Sequence, residues 1–172
     1  FFGNLLFYNT ARFSKNKKFR FTPYGLLSKV TGEYNTVNGF TPYKNLFKLE
    51  WLDKKGKYFS FDPSIGYAIS RNRWLADGQV KAQYNGERRA SFFAHFGRLM
   101  DDFNREEPIP PLGNTIASLF YTQNEKKLFE SDFFKIGHQT DLINGLQLVT
   151  KLDFEDRTAQ RNNSNFTITD WW

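Results

Sequence analysis

Phe59-Ser60-Phe61-Asp62-Pro63-Ser64-Ile65-Gly66-Tyr67-Ala68-Ile69-Ser70 is the stretch that decides the fold class. Its odd positions are Phe, Phe, Pro, Ile, Tyr and Ile, while its even positions are Ser, Asp, Ser, Gly, Ala and Ser. Successive side chains of an extended strand point to opposite faces, so this alternation predicts a strand with one apolar face and one small or polar face. Upstream, Phe47-Lys48-Leu49-Glu50-Trp51 alternates in the same way. The connection Asp53-Lys54-Lys55-Gly56-Lys57 has a length that suits a hairpin.

The pattern continues outward in both directions. Asp77-Gly78 and Asn85-Gly86 carry the dipeptide chemistry of tight turns. Val80, Ala82 and Tyr84, then Phe92, Ala94 and Phe96, extend the alternating face. Leu146, Leu148, Thr150, Leu152 and Phe154 alternate with Gln147, Val149, Lys151, Asp153 and Glu155. At the N-terminus, residues 1–13 and 19–30 read as two further strands, and Phe40 to Leu52 as another. The expectation is a meander of roughly eight or nine strands.

One interval, about 99–134, breaks the rhythm. Its prolines at Pro108, Pro110 and Pro111 precede Asn114, which is placed as a helix N-cap, and Ile116, Leu119, Phe120 and Leu128 lie near helical spacing. The reading is a short helical insert between two strands, inside a single domain spanning residues 1–172.

Composition narrows the class. Aromatic residues reach 19%, with 20 Phe, although hydrophobic residues total only 40% and the mean hydropathy is −0.61. Such a chain concentrates its apolar side chains on one face. No run approaches the roughly 20 apolar residues of a membrane-crossing helix. A transmembrane barrel stays open, because its strands alternate apolar-out and polar-in. Long alternation, scarce Val, abundant aromatics and the placement of Trp51, Tyr58 and Trp74 near strand ends favour that barrel over a soluble β-rich ligand-binding module. The sequence starts at Phe1 without Met and stops at Trp172 inside what reads as a strand, so the expectation is a partial barrel from a longer protein.

The absence of Cys removes disulfides and thiolate chemistry. The net charge of +6 arises from Lys and Arg scattered through turns, with no nucleic-acid-binding motif beside them, so no nucleic-acid partner is read.

Asn35-Thr36-Val37-Asn38-Gly39 resembles the NTVEG-like signature of a Gram-negative outer-membrane family of uncharacterised function. Phe96-Gly97-Arg98 with Asp102-Phe103-Asn104 and Pro108-Ile109 is similar in order and spacing. So are Asn114-Thr115 with Ser118-Leu119 and Lys127-Leu128-Phe129-Glu130, and Asn144-Gly145-Leu146 with Glu155-Asp156-Arg157. The likeness runs from about Leu26 to Asn163. It implies a cell outer-membrane location, a lipid-bilayer partner, and an N-terminal carboxypeptidase-regulatory-like (Ig-like) domain ahead of a C-terminal β-barrel. The signature residues Asn35, Thr36, Val37, Gly39, Asn144 and Gly145 are taken as structural. The family usually carries an acid where Asn38 stands, so no chemistry is assigned to that position.

The resulting expectation is an all-β, antiparallel up-and-down transmembrane β-barrel with a short helical insert. Its role is non-enzymatic, in transport, secretion or surface assembly. Lys48, Glu50, Asp62, His95, Lys151, Asp153 and Glu155, with Lys81, are read as lumen-facing. Because isolated buried charges are costly, they are expected to form a cross-strand ion-pair network.

No catalytic, cofactor or metal site is assigned. His95 and His138 lack a partner at metal-ligand spacing. Asp101, Asp102, Glu106 and Glu107 lack the spacing of a calcium loop, and Arg88 and Arg89 read as charges flanking a hairpin. A membrane-embedded hydrolase pairing Ser91 or Ser70 with His95 is the third reading.

Overall fold

The computed structural model describes residues 6–53, 56–104, 106, 109–163, 166 and 168. Its strands are β1 (Arg12–Phe13), β2 (Phe19–Pro23), β3 (Val30–Asn35), β4 (Gly39–Asn45), β5 (Phe47–Leu52), β6 (Tyr58–Ala68), β7 (Arg73–Asn85), β8 (Ala90–Asp102), β9 (Leu128–Ile143) and β10 (Leu146–Ala159). All join one antiparallel sheet in the order β1-β2-β5-β6-β7-β8-β9-β10, with β3 on β4 and β4 also on β6. A helix, α1 (Pro111–Tyr121), follows β8.

The alternation of the opening stretch becomes β6. Phe59, Phe61, Pro63, Ile65 and Tyr67 stand opposite Ala82, Val80, Gly78, Ala76 and Trp74, while Ser60, Asp62 and Ser64 stand opposite Lys81, Gln79 and Asp77. The register carries the same division across the sheet. Phe19, Phe21 and Pro23 meet Trp51, Leu49 and Phe47. Phe92, Ala94 and Phe96 meet His138, Ile136 and Phe134. Beyond them, Thr150, Leu152 and Phe154 complete the apolar face on β10.

The sheet differs from the expected up-and-down barrel in order and in closure: β2 neighbours β5, with the β3–β4 hairpin off the main path. The sheet is not closed: among the described residues no ladder joins β10 to β1 or β2. The two edges do not match, since β1 has 2 residues and β10 has 14. The chain after β10 instead crosses to the β3–β4 turn, where the Asn163 N–H donates to the Thr36 carbonyl at 2.8 Å.

Asp77-Gly78 is not a turn but the middle of β7. A Cβ on Gly78 would meet the rings of Phe61 and Phe96 at 3.0 and 3.1 Å, so this glycine makes room for aromatic packing. The reversal falls instead near residues 69–72, where Asn72 adopts φ of 51°. In the N-terminal region, the expected strands over 1–13 and 19–30 give way to shorter pieces, and residues 1–5 lie outside the described residues. The expected strand from Phe40 to Leu52 is two strands, because β4 and β5 pair with β6 in registers one residue apart.

The insert is shorter than expected. β8 runs to Asp102 and β9 starts at Leu128, so the interruption covers 103–127. The helix begins three residues before Asn114, with Pro110 as N-cap and Pro at its first positions. Proline suits the first turn because its missing N–H has no intrahelical partner there. Asn114 lies inside the helix, and its side-chain oxygen accepts from the Glu125 and Lys126 N–H groups at 3.0 and 3.3 Å.

Candidate functional site

Asn35, Thr36, Val37, Asn38 and Gly39 form the β3–β4 turn. Asn35 pairs with Gly39 across the ladder, closing a three-residue loop, and Gly39 takes φ of 67°, which glycine adopts without strain. The Asn35 side-chain oxygen accepts from the N–H groups of Val37 and Asn38 at 3.1 and 2.8 Å, the local Asx pattern that favours Asn in such turns.

Hairpin tips are normally solvated, yet Asn35, Thr36, Val37 and Asn38 are each at most 2% exposed. Three segments cover them. The Thr36 hydroxyl donates to the Asn162 side-chain oxygen at 2.8 Å. The Ser70 N–H donates to the Asn38 carbonyl at 2.8 Å. Helix α1 lies on the open edge of β3, where Thr115 accepts from the Tyr34 N–H at 3.2 Å.

Beneath the tip is a charged cluster drawn from four strands and turns. Glu130 receives Arg71 at 2.6 Å, Arg73 at 2.9 Å and Arg98 at 3.5 Å. Arg98 also grips Asp132 through two hydrogen bonds of 2.5 and 2.6 Å. Arg71 reaches the Asn38 side-chain oxygen at 3.4 Å, joining the cluster to the tip. Asn38 Nδ2 is buried with no acceptor among the described residues. Three guanidiniums thus face two carboxylates.

Beside the cluster, Gly97 precedes Arg98 at φ of 151°. A Cβ there would sit 2.3 Å from the Ala76 carbonyl oxygen. Beyond the Ala76–Arg98 pair the β7–β8 ladder stops, while β8 continues on β9 to Asp102.

By strand register Lys48, Glu50, Asp62, Lys81, His95, Lys151, Asp153 and Glu155 lie on one face of the sheet, and the ion pairs there form small separate clusters in place of one network. Glu50 binds Arg20 at 2.5 Å and Lys48 at 3.2 Å. Glu155 binds Lys135 at 2.8 Å and also pairs with Arg157. Asp62 accepts from Tyr24 at 3.3 Å and Asn45 at 3.5 Å. Lys81, Lys151 and Asp153 show no ion pair among the described residues, and all three are exposed.

His95 sits 2.8 Å from Asp77, which also accepts from the Ser64 hydroxyl. The carboxylate is in the middle here. A hydrolytic triad needs the histidine between serine and carboxylate, so the Ser64–Asp77–His95 arrangement lacks the proton path of that chemistry. Ser91 lies four residues from His95 on the same strand, about 13 Å away at strand rise. Ser70 is engaged at the hairpin tip. A cavity of about 540 Å³ opens beside Asp77, lined also by Glu33, Tyr43, Asn45, Ser64 and Met100. No group of three metal-ligating side chains occurs among the described residues. Glu107 lies outside them.

The opposite face is apolar and open. Trp74 is 64% exposed, Phe154 62%, Leu152 58% and Phe92 51%. Tyr67 packs on Trp74 near one end of the strands, with centroids 4.8 Å apart. Near the other end Tyr84 stacks on Phe92 at 5.6 Å, and His138 lies 4.7 Å from Phe92. Asn144 and Gly145 form the β9–β10 turn on this end, with Gly145 at φ of 87°.

The buried tip and its arginine cluster were missed by sequence reasoning. Arg71 and Glu130 are separated by 59 positions, and nothing local to either announces the pairing. The model of a family described as "Family of unknown function (DUF5686) C-terminal domain" matches residues 3–171. No curated protein and no solved structure matches the chain.

Proposed function

The chain belongs to this family of unknown function, DUF5686, as its C-terminal domain, and from that premise we propose that it is part of an outer-membrane β-barrel of a Gram-negative cell. The observation that carries the reading is an inverted distribution of polarity. Most of the sheet's large apolar side chains lie on an exposed face, with Leu75, Phe129 and Phe133 among the few that are buried. Its buried residues include Asn35, Thr36, Asn38, Thr41, Glu50, Ser60, Ser91 and Glu130. In water that arrangement leaves apolar surface unburied across the sheet, at roughly 25 cal/mol per Å². Against lipid tails the same surface is satisfied.

Strand dimensions agree with this. β6 to β10 run 11, 13, 13, 16 and 14 residues, against about 9 to 11 needed to cross a bilayer at a tilt. From Phe59 to Tyr67 the apolar row covers eight steps, about 26 Å along the strand, which is the scale of a lipid-facing band. Aromatic clusters near both ends suit the two interfaces.

In this reading the polar face lines the interior. Helix α1 and the hairpin tip pack together at one mouth: the tip is buried, while Leu112, Ile116, Phe120 and Tyr121 of α1 are exposed, as suits a helix outside the hydrocarbon layer. A partner domain of carboxypeptidase-regulatory type precedes the barrel, and the role is non-enzymatic, in transport, secretion or surface assembly.

Flotation is the test. Chain refolded with vesicles of phosphatidylethanolamine and phosphatidylglycerol should rise with them through a density gradient after a urea wash. Recovery of the folded chain in buffer without detergent or lipid would overturn the proposal and favour a soluble binding module.

A further inference from the structure

The turns at one end of the strands form a contiguous arc, a partial ring because the sheet is open. The Leu52 N–H donates to the Lys18 carbonyl at 2.8 Å, and Lys18 pairs with Asp53 at 3.6 Å. Gln83 reaches the Gly56 carbonyl at 2.9 Å, and the Asp141 N–H donates to the Arg88 carbonyl at 2.8 Å. Residues 14–18, Asp53, Gly56, Lys57, 86–89 and 144–145 are therefore neighbours in space.

The ring is basic. Its described members include Lys15, Lys17, Lys18, Lys57, Arg88 and Arg89, all exposed, against Asp53, Glu87 and Asp141. Two acids are already held, Asp53 by Lys18 and Asp141 by Arg89. Lys15, Lys17, Lys57 and Arg88 have no carboxylate partner among the described residues. At the opposite end, Asp101, Asp102, Glu106, Glu125, Glu130 and Asp132 are balanced by Arg71, Arg73, Arg98, Lys126, Lys127 and Arg161. The excess of positive charge therefore lies at the first end.

Directly beside the basic turns stand Phe19, Trp51, Tyr84, Phe92 and His138, on the open apolar face. A cationic ring edging an aromatic row matches a lipid interface. Aromatic rings sit at the headgroup boundary, and Lys and Arg stems reach past them to the phosphates.

We propose that this basic ring docks on anionic phospholipid headgroups and fixes which end of the sheet meets them. The partner is the phosphodiester of phosphatidylglycerol-type lipids, and an acidic soluble protein fits less well, because the apolar row beside the ring needs covering too. The inference rests on the bilayer reading above.

The test uses the chain with Trp51 as its sole tryptophan, the others changed to Phe, in vesicles where one third of the lipid is brominated. Trp51 precedes the 53–57 turn and reports the lipid next to the ring. Brominated phosphatidylglycerol should quench it about twofold more than brominated phosphatidylcholine at the same fraction. The excess should vanish in the combined variant Lys15→Gln, Lys17→Gln, Lys57→Gln and Arg88→Gln, and in about 1 M salt, where the screening length falls to about 3 Å. A sole Trp74, at the other end, should be quenched equally by both lipids. Equal quenching of Trp51 by the two lipids would overturn the basic-ring proposal and leave the bilayer reading standing. No quenching by either lipid would overturn both.

Discussion

Replacing Asn38 by Asp should stabilise this protein, although it places a new carboxylate at a position with no solvent exposure. Asn38 now presents Nδ2 to a buried site without an acceptor among the described residues. An orphaned buried donor costs about 1–3 kcal/mol. Aspartate has nearly the same shape and carries no such donor.

Its second oxygen also changes the charge balance. Arg71, Arg73 and Arg98 face Glu130 and Asp132, so a third carboxylate evens the cluster. Arg71 stands 3.4 Å from the side-chain oxygen of residue 38. A unit-charge pair at that distance is worth about 5 kcal/mol at an effective dielectric of 20. Desolvating the carboxylate opposes it by several kcal/mol. With those two effects near cancellation, relief of the orphaned donor leaves a net gain of about 1–2 kcal/mol.

Urea titration of the detergent-folded chain, followed by tryptophan fluorescence, reads this as a higher midpoint at pH 7.5. The new carboxylate is held charged by the folded cluster, so its contribution is present at neutral pH. It is lost as pH falls through the carboxylate range near 4. In an Arg71→Gln background the charge-dependent part should be gone at every pH. A loss of 1 kcal/mol or more at pH 7.5 in the wild-type background would refute the reasoning. The family signature that the stretch resembles usually has an acid at this position, in keeping with the direction expected.

Other substitutions test neighbouring parts of the argument. Glu130→Ala should cost about 3–5 kcal/mol in the same titration, because it strips a nearly buried Arg71 of its carboxylate partner. Gly97→Ala should lower stability by about 2–3 kcal/mol or prevent folding, since its Cβ meets backbone at 2.3 Å and its φ of 151° disfavours L-residues. Gly137→Ala drives a Cβ to 2.2 Å from the Phe93 ring. It should cost about 1–3 kcal/mol by overpacking, and much less in a Phe93→Ala background, where the obstacle is gone.

What could be read from residue order was the part governed by period two and by local turn chemistry. β6 was legible because both its faces alternate without interruption. The turns at Gly56 and at 144–145 were legible because glycine supplies their positive φ, and the one at 86–89 because the Asn85 side chain accepts from the Glu87 and Arg88 N–H groups, although the positive φ there falls on Arg89. Gly78 misled, because its purpose is lateral: it leaves room for Phe61 and Phe96 from neighbouring strands.

The break between β4 and β5 was hidden, since a one-residue shift of register leaves no mark in composition. The helix start was misplaced because Pro111 and Asn114 both carry N-terminal signals, and Asn114 spends its side chain on the exit to β9. Asn35 to Gly39 is legible as a family signature. Its burial beneath α1 and residues 162–163 is not, because the covering groups lie up to 127 positions away.

The central claim is that the apolar face meets lipid and the alternate face meets water. Nitroxide labels placed singly from Phe133 to His138 on β9, in lipid vesicles, test it most directly. Labels at 134 and 136 should collide readily with oxygen and poorly with a water-soluble nickel chelate. Those at 133, 135 and 137 should show the reverse or be packed. Accessibility without this period of two, or nickel contact equal at 134 and 135, would contradict the account.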